Sequence, residues 1–365
     1  MNISFLCAGF AANGGIGRVT SILSDALVQR DNMNISLCSF SNVKADSYYE
    51  LNPRCQQTFL FDHRITMTQA FLKDHAIKRL VLYLKENQID ILVACGVLFY
   101  PLAAIAASKC GIPFIGWEHT NPNNKADYKF QDESRVFGAK RSSCNVVLTH
   151  SALDVYNRRF PRAKNIQIYN PISPELMANP YRYAPESRKI ISVGRLRPQK
   201  NFDRLLDIAR EVCPLYPDWT WDIYGEGDLR EHLEEKRDSY GLKGRVHFKG
   251  QVKNIYEIYH NYSFVVMTSD YEGFPMTLLE GAANHLPMVA FDVPTGPSEI
   301  IENGKNGFLC KAGDSREMVE RIGQLISTPA LRTRMAEASR EKAEAFHIDT
   351  ICNQWVALFE GLREA

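Results

Sequence analysis

Residues Ser269 to Asn284 read SDYEGFPMTLLEGAAN, and they follow the apolar run Phe264-Val265-Val266-Met267. Four apolar residues in a row, two of them β-branched, predict a buried strand. Gly273 and Pro275 then break the pattern, and Pro275 suits the first position of a helix, where its missing N–H costs nothing. The first amides of that helix lack internal partners and can donate to an anion or a hydroxyl. Glutamates bracket the element, Glu272 in the turn and Glu280 inside a helix otherwise made of Met, Thr, Leu, Ala and Gly. A carboxylate among such neighbours is costly without donors, and sugar hydroxyls are donors of suitable chemistry. Thr277, Glu280 and Asn284, three and four apart, equally fit a solvated helix stripe.

The same strand–turn–helix alternation runs through the whole chain and predicts an α/β protein with parallel sheets built from βαβ units. In the first half the expected strands are 3–8, 35–40, 89–95, 113–118, 145–149 and 166–169, with helices at 16–29, 70–87, 99–109 and 151–159 between them. Residues 41–68 read only as a strand with irregular connections. Asn170-Pro171-Ile172-Ser173-Pro174 reads as a linker, because two prolines deny it regular structure. A second series follows, with strands at 189–193, 220–224, 246–249, 264–267, 288–291 and 308–310. Helices are expected at 202–213, 229–240 and 275–284, and a helical end at 315–326, 330–345 and 349–362. At 365 residues the chain exceeds what one core comfortably holds, so the expectation is two Rossmann-like domains, 1–172 and 173–345, facing each other across a cleft. Ligands of such sheets bind at the carboxyl ends of the strands.

Composition sets outer limits. Hydrophobic residues at 45% and charged ones at 23% describe an ordinary globular protein, and no apolar run is long enough to span a bilayer. The opening MNISFLCAGF reads as a first strand rather than a secretory leader. Nine scattered cysteines without a C-x-x-C pair point to reduced, buried thiols and a cytoplasmic location. Residues 1–172 carry 19 Lys and Arg against 13 Asp and Glu, while the remainder carries 24 against 29. The basic excess, which includes Lys140, Arg141, Arg158, Arg159 and Arg162, is either a solvated face or a surface that meets anionic membrane or a lipid-diphosphate acceptor. Nucleic acid is excluded as a partner, since no interleaved aromatics or binding motif accompany the cations.

Every chemistry-bearing motif falls at a strand end. After the first strand comes Gly9-Phe10-Ala11-Ala12-Asn13-Gly14-Gly15-Ile16-Gly17-Arg18. It is neither a dinucleotide fingerprint nor a Walker loop, yet it combines close backbone approach with a helix N-terminus. The fourth strand ends in Glu118-His119-Thr120, and a lone histidine there is more often structural than catalytic. In the second half Gly194-Arg195-Leu196 and Lys200-Asn201 follow a strand, and two cations converging on one anion suit a diphosphate. Tyr224-Gly225-Glu226-Gly227 and Gly250-Gln251-Val252-Lys253 close two further strands. No D-x-D occurs, and His and Cys do not cluster at zinc spacing, so no metal is expected.

Taken together, Glu272 to Glu280 and Gly194 to Asn201 resemble the E-x7-E and GR-L-x3-KN elements of retaining, GT-B type glycosyltransferases of the GT4 family. The resemblance covers nearly the whole chain. It implies a C-terminal segment, 346–365, that crosses back onto the first domain. It also implies that Gly14, Gly15 and Gly17 lie beside donor phosphates and that Arg18 and Glu118 face the acceptor. His119 would bond a donor-sugar hydroxyl. Gly194, Arg195 and Lys200 would hold the nucleotide diphosphate and stabilise it as it leaves. Glu272, with Gly273, Phe274, Pro275 and Met276, would hold the transferred sugar, Thr277 a phosphate, and Glu280 the ribose. Tyr224, Gly225 and Val252 would lie near the nucleoside. The implied activity is transfer of a hexose or N-acetylhexosamine from a nucleotide-diphosphate sugar, UDP favoured, without a metal or other cofactor. The implied acceptor is a glycan or lipid-linked saccharide of the bacterial surface, met at the inner face of the membrane. A GT-B sugar-nucleotide epimerase, a phosphorylase and a non-enzymatic sugar-binding protein remain as alternatives.

Overall fold

The computed structural model describes residues 1–10, 14–40, 49–61, 74–123, 130–178, 180, 182–252 and 254–364. The tip of the glycine loop (11–13), most of 41–68, the expected helix start at 70–73 and Lys253 lie outside the described residues. Two compact units are present: Met1–Pro171 together with Ile348–Ala365, and Ile172–His347.

The first unit holds a seven-stranded parallel sheet. Its strands are β1 (Asn2–Cys7), β2 (Asn34–Ser39), β3 (Gln56–Phe59), β4 (Ile91–Cys95), β5 (Phe114–Glu118), β6 (Cys144–Val147) and β7 (Asn165–Gln167). They lie in the order β3-β2-β1-β4-β5-β6-β7. The second sheet has six strands: β8 (Lys189–Val193), β9 (Thr220–Tyr224), β10 (Val246–Gly250), β11 (Phe264–Met267), β12 (Met288–Asp292) and β13 (Gly307–Lys311). Their order is β10-β9-β8-β11-β12-β13. Each order reverses direction once, between β1 and β4 and between β8 and β11, and such a reversal opens a crevice at the carboxyl ends of the strands. β4 and β11 are buried along their whole length, as their uninterrupted apolar runs require of strands covered on both faces.

Helices cover the sheets through their apolar stripes. In the second unit the helix Phe202–Leu215 buries Phe202, Leu205, Leu206, Ile208, Ala209 and Val212, which pack with Ile223, Val266 and Val289 of the sheet. The last helix, Ile348–Arg363, belongs to the first unit. It buries Ile351, Trp355, Leu358 and Phe359, a stripe of helical period. Trp355 meets Trp117 edge-on at 4.9 Å and Phe5 at 6.4 Å, so aromatic contact fixes the docking of that helix.

Two expectations shift locally. Pro275 is the N-cap, at φ −79° and ψ 96°, and the helix begins at Met276. Its ring is pressed by Gly296, where a Cβ would come within 2.5 Å of Pro275 Cδ. Within the expected linker, Pro174 starts the short helix Pro174–Met177, the one position at which proline favours a helix.

Candidate functional site

At the reversal of the second sheet, the ends of β8, β9 and β10 are stitched together by their backbones. Gly194 donates to the Tyr224 carbonyl at 2.9 Å, Leu196 to that of Glu226 at 2.9 Å, and Gly225 to that of Gly250 at 2.9 Å. Only glycine fits at 225: its φ is +138° and a Cβ would lie 1.9 Å from the Gly194 oxygen. Gly194 itself supports the stem of Lys200, whose Cγ and Cδ would be 3.3 Å from a Cβ there.

The two motif loops are laced to each other. Lys200 donates to Glu272 Oε1 at 2.6 Å, and both side chains are largely buried. Gln199 accepts from the Asp270 amide at 2.9 Å and donates to the Tyr271 carbonyl at 2.9 Å. Asn201 donates to Asp270 at 2.8 Å, and Thr268 donates to the Lys200 and Asn201 carbonyls, each at 3.1 Å. Asn201 stands in the left-handed region at φ +47° and its side chain accepts from the Arg204 amide, capping the helix Phe202–Leu215. Asparagine tolerates both tasks better than other side chains. Lys200 is matched by Glu272, whereas Arg195 and Arg197 on the same loop are exposed and, among the described residues, form no ion pair.

The turn Gly273–Met276 is braced from behind. Thr295 donates to the Glu272 carbonyl, and Gly296, at φ +96°, fits against Gly273, Phe274 and Pro275 with no room for a side chain. The hydroxyl of Thr277 donates to the Val193 carbonyl at 3.2 Å, so its proton serves the β8 end rather than a ligand. Glu280 sits on the helix Met276–Ala283, which packs on β11 through Gly281, where a Cβ would be 2.6 Å from Val265. Tyr259, fully buried, donates to Glu280 Oε2 at 3.0 Å. Sequence reasoning missed this donor and credited sugar hydroxyls with the whole task. Burial, reinforced by the Glu280 charge beside it, holds the Tyr259 phenol well above its ordinary pKa.

The nucleoside assignments fare unevenly. Tyr224 is buried, and its hydroxyl lies 2.8 Å from that of Tyr262, which donates to Asp222 at 2.7 Å. Its side chain therefore faces inward along a buried polar chain and not toward a ligand, and Gly225 is the element of this strand end beside Gly194. Val252 is half-buried in the coil after β10.

In the first unit Gly14 is the extended N-cap of the helix Gly15–Val28. Its amide donates to the Tyr49 hydroxyl at 2.8 Å, and that hydroxyl donates back to the Gly14 carbonyl at 3.0 Å. A Cβ on Gly14 or Gly15 would meet nothing within 4 Å, whereas one on Gly17 would lie 3.3 Å from the Tyr49 ring. Arg18 stacks over the same ring at 5.4 Å. Tyr49 carried no legible signal, because it lies in a polar stretch without periodicity. His119 follows β5 and packs on Trp117 at 4.2 Å. Its Nε2 is buried with no partner, and burial pushes the imidazole down to about 3. It is a neutral hydrogen-bonding group.

Glu118 does not face an acceptor. It is buried, accepting from Arg135 at 2.6 Å, Tyr156 at 2.9 Å and the Thr120 hydroxyl at 2.6 Å. Arg135, also buried, reaches Asp132 at 3.0 Å, and Arg159 closes the cluster with bonds of 2.8 and 2.9 Å to Asp132. Burial opposes the charge on Arg135, but the Glu118 carboxylate outweighs it and raises the guanidinium pKa. Of the first unit's cations, Arg135 is thus internal and Arg159 half-buried against Asp132. The exposed ones, Lys140, Arg141, Arg158, Arg162 and Lys164, follow or end helices that lead into β6 and β7. They stand at the amino ends of β6 and β7, whereas His119 follows the carboxyl end of β5, and helix carboxyl ends of this kind attract cations. Among the described residues no three His, Cys, Asp or Glu side chains gather as a metal site, and no helix is long and apolar enough to cross a membrane.

Residues 177–342 match the family model described as glycosyl transferases group 1. The second unit carries a glycosyl transferases group 1 domain. The chain is 28% identical over 268 residues to an uncharacterized glycosyltransferase of Haemophilus influenzae, covering 73% of this chain and 75% of that one. It is 33% identical over 215 residues to the amylovoran biosynthesis glycosyltransferase AmsD of Erwinia amylovora, covering 58% and 60%. The fold matches that of S. aureus TarM, crystallised as a mutant in complex with fondaparinux, alpha-GlcNAc-glycerol and UDP. The TM-score is 0.84 at 17% identity, over 98% of this chain and 99% of TarM. Both halves are thus Rossmann-like in the manner of GT-B transferases.

Two predictions follow from the first-unit geometry. Glu118→Ala strands the Arg135 charge and should cost about 3–5 kcal/mol, read by urea unfolding of the first unit, while nucleotide affinity stays unchanged. A variant of parental stability would make the cluster dispensable. His119 has a folded pKa below its ordinary 6.5, so its stabilising contribution is complete above pH 6.5 and shrinks as pH falls toward 3. The slope is at most about 1.4 kcal/mol per pH unit. His119→Asn should flatten the acid limb of stability between about pH 6.5 and 5; coincident acid limbs would mean a solvated imidazole.

Proposed function

We propose that the protein is a retaining, GT4-like glycosyltransferase that moves a hexose or N-acetylhexosamine from a UDP-sugar to a saccharide acceptor in surface-glycan assembly. The observation that carries this reading is the β8–β11 crevice, where one ion pair joins the sugar-binding turn to the phosphate-binding cation. Glu272 Oε1 lies 2.6 Å from Lys200 Nζ, so a diphosphate beside Lys200 would place its sugar beside Glu272. Arg195 would neutralise the charge that develops as the diphosphate departs. The C1–O bond to the phosphate breaks through an oxocarbenium-like state. The acceptor hydroxyl oxygen then bonds to C1 on the same face, and its proton passes to the departing phosphate oxygen. Arg195 and Lys200 take the place that a divalent cation has in metal-dependent transferases.

UDP is favoured because the TarM complex contains it, and a surface glycan because AmsD serves amylovoran synthesis. A nucleotide-sugar donor implies work on the cytoplasmic side, with a lipid-linked saccharide as one acceptor class. The exposed cations at the amino ends of β6 and β7 sit in or just after the last turns of helices, and this function does not require them to meet a membrane.

Calorimetric titration with UDP, GDP and ADP should single out UDP, and Glu280→Ala should lower its affinity by about 1.5–3 kcal/mol. Unchanged affinity in a folded variant would remove Glu280 from the site. Turnover of the UDP-sugar should also persist in excess EDTA. Its loss, with recovery on adding manganese or magnesium, would overturn the role given to Arg195 and Lys200.

A further inference from the structure

The helix Met276–Ala283 buries Leu278, Leu279, Gly281, Ala282 and Ala283. Glu280 rises from among them on a side chain whose last torsion, between an sp³ and an sp² carbon, has broad and shallow preferences. Left to itself, that carboxylate could rotate through many planes. A ribose diol presents two donors at fixed separation, and it is received well only by a carboxylate whose plane is already set.

A contact from inside the protein restrains that plane. Tyr259 belongs to a short 3₁₀ turn, Tyr259–Asn261, just ahead of β11. The chain then passes through β11 and the Gly273 turn before Glu280 returns to it. The ring is 0% exposed, and a tyrosine so enclosed has few rotamers with which to wander. Its hydroxyl donates to Glu280 Oε2 at 3.0 Å. The helix backbone is held as firmly: Arg340 donates to the Ala283 carbonyl at 3.0 Å, and the Asn284 amide group to that of Glu280 at 3.0 Å. With backbone and one carboxylate oxygen both fixed, the orientation of Glu280 precedes any ligand.

We propose that Tyr259 is a positioning residue that orients the Glu280 carboxylate for the two ribose hydroxyls of the bound nucleotide. This rests on the reading of Glu280 as the ribose-binding group. Burial keeps the phenol protonated well above its ordinary range, so the donor is present at every working pH. Because the Tyr259 hydroxyl ends on the Glu280 carboxylate, its effect should appear only with nucleotides that carry the hydroxyls.

The test is calorimetric titration of UDP and 2′,3′-dideoxy-UDP against the parent protein, Tyr259→Phe, Glu280→Ala and the double variant. The parent should prefer UDP by about tenfold, the worth of a charge-assisted hydrogen bond. Tyr259→Phe should weaken UDP by about three- to tenfold, leave dideoxy-UDP unchanged, and add nothing once Glu280 is alanine. Equal losses for both nucleotides would make Tyr259 a packing residue and overturn the proposal, as would unchanged UDP affinity. If Glu280→Ala abolishes the preference while Tyr259→Phe preserves it, the ribose reading stands and only the role of Tyr259 falls. If Glu280→Ala leaves the preference intact, the ribose reading falls and takes this inference with it. Tyr259→Met, also without the hydroxyl, is measured in parallel should the phenylalanine variant unfold.

Discussion

The Lys200–Glu272 ion pair, 2.6 Å long and largely hidden from solvent, is the constraint on which the crevice of the second unit depends. A buried pair of this kind repays its desolvation only when geometry is good and further hydrogen bonds surround it. Here those bonds are the Gln199, Asn201, Asp270 and Thr268 contacts that lace one loop to the other. Two strand ends adjacent in the sheet but far apart in sequence thereby become one rigid platform. Gly194 and Gly225 allow the backbones to close beneath it, and Thr295 and Gly296 hold the turn from the other side.

Much of this was legible in the amino-acid pattern because the residues concerned have few other uses. Apolar runs such as Phe264–Met267 mark buried parallel strands, and Gly273 and Pro275 mark the turn into the next helix. The twelve strands given bounds are present, and the strand read without bounds in 41–68 is Gln56–Phe59, a largely exposed edge strand of sequence QQTF whose short, mostly polar run gave no alternation to place it. What stayed hidden were partnerships across sequence distance. Nothing near Glu118 announces that Arg135 and Tyr156 enclose it, and nothing near Gly14 announces Tyr49. Tyr224 misled for the same reason, since a strand-end tyrosine looks available until Tyr262 and Asp222 are seen to hold it.

Charge is distributed in the two units according to what surrounds it. In the first, the Glu118 cluster is internal and nearly balanced, and His119 next to it is kept neutral by burial. In the second, one cation is matched and another, Arg195, is left to solvent. A polar network that is fully satisfied rigidifies its surroundings, whereas an unmatched surface cation attracts anions. In the second unit the remaining polar groups around the pair hold the shape of the two loops.

The membership of helix Ile348–Arg363 in the first unit has a consequence for how the chain acquires its structure. Residues 172–347 are contiguous and can condense as soon as they leave the ribosome. The first unit is discontinuous, and the Phe5–Trp117–Trp355 contact completes its aromatic cluster. Until residue 355 emerges, Phe5 and Trp117 have no indole to cover them, so the earlier-made half stays unfinished while the later-made half folds. Vectorial synthesis therefore reverses the order of completion in this protein, and the exposed aromatic face of the nascent first unit is the interval in which a chaperone would find it.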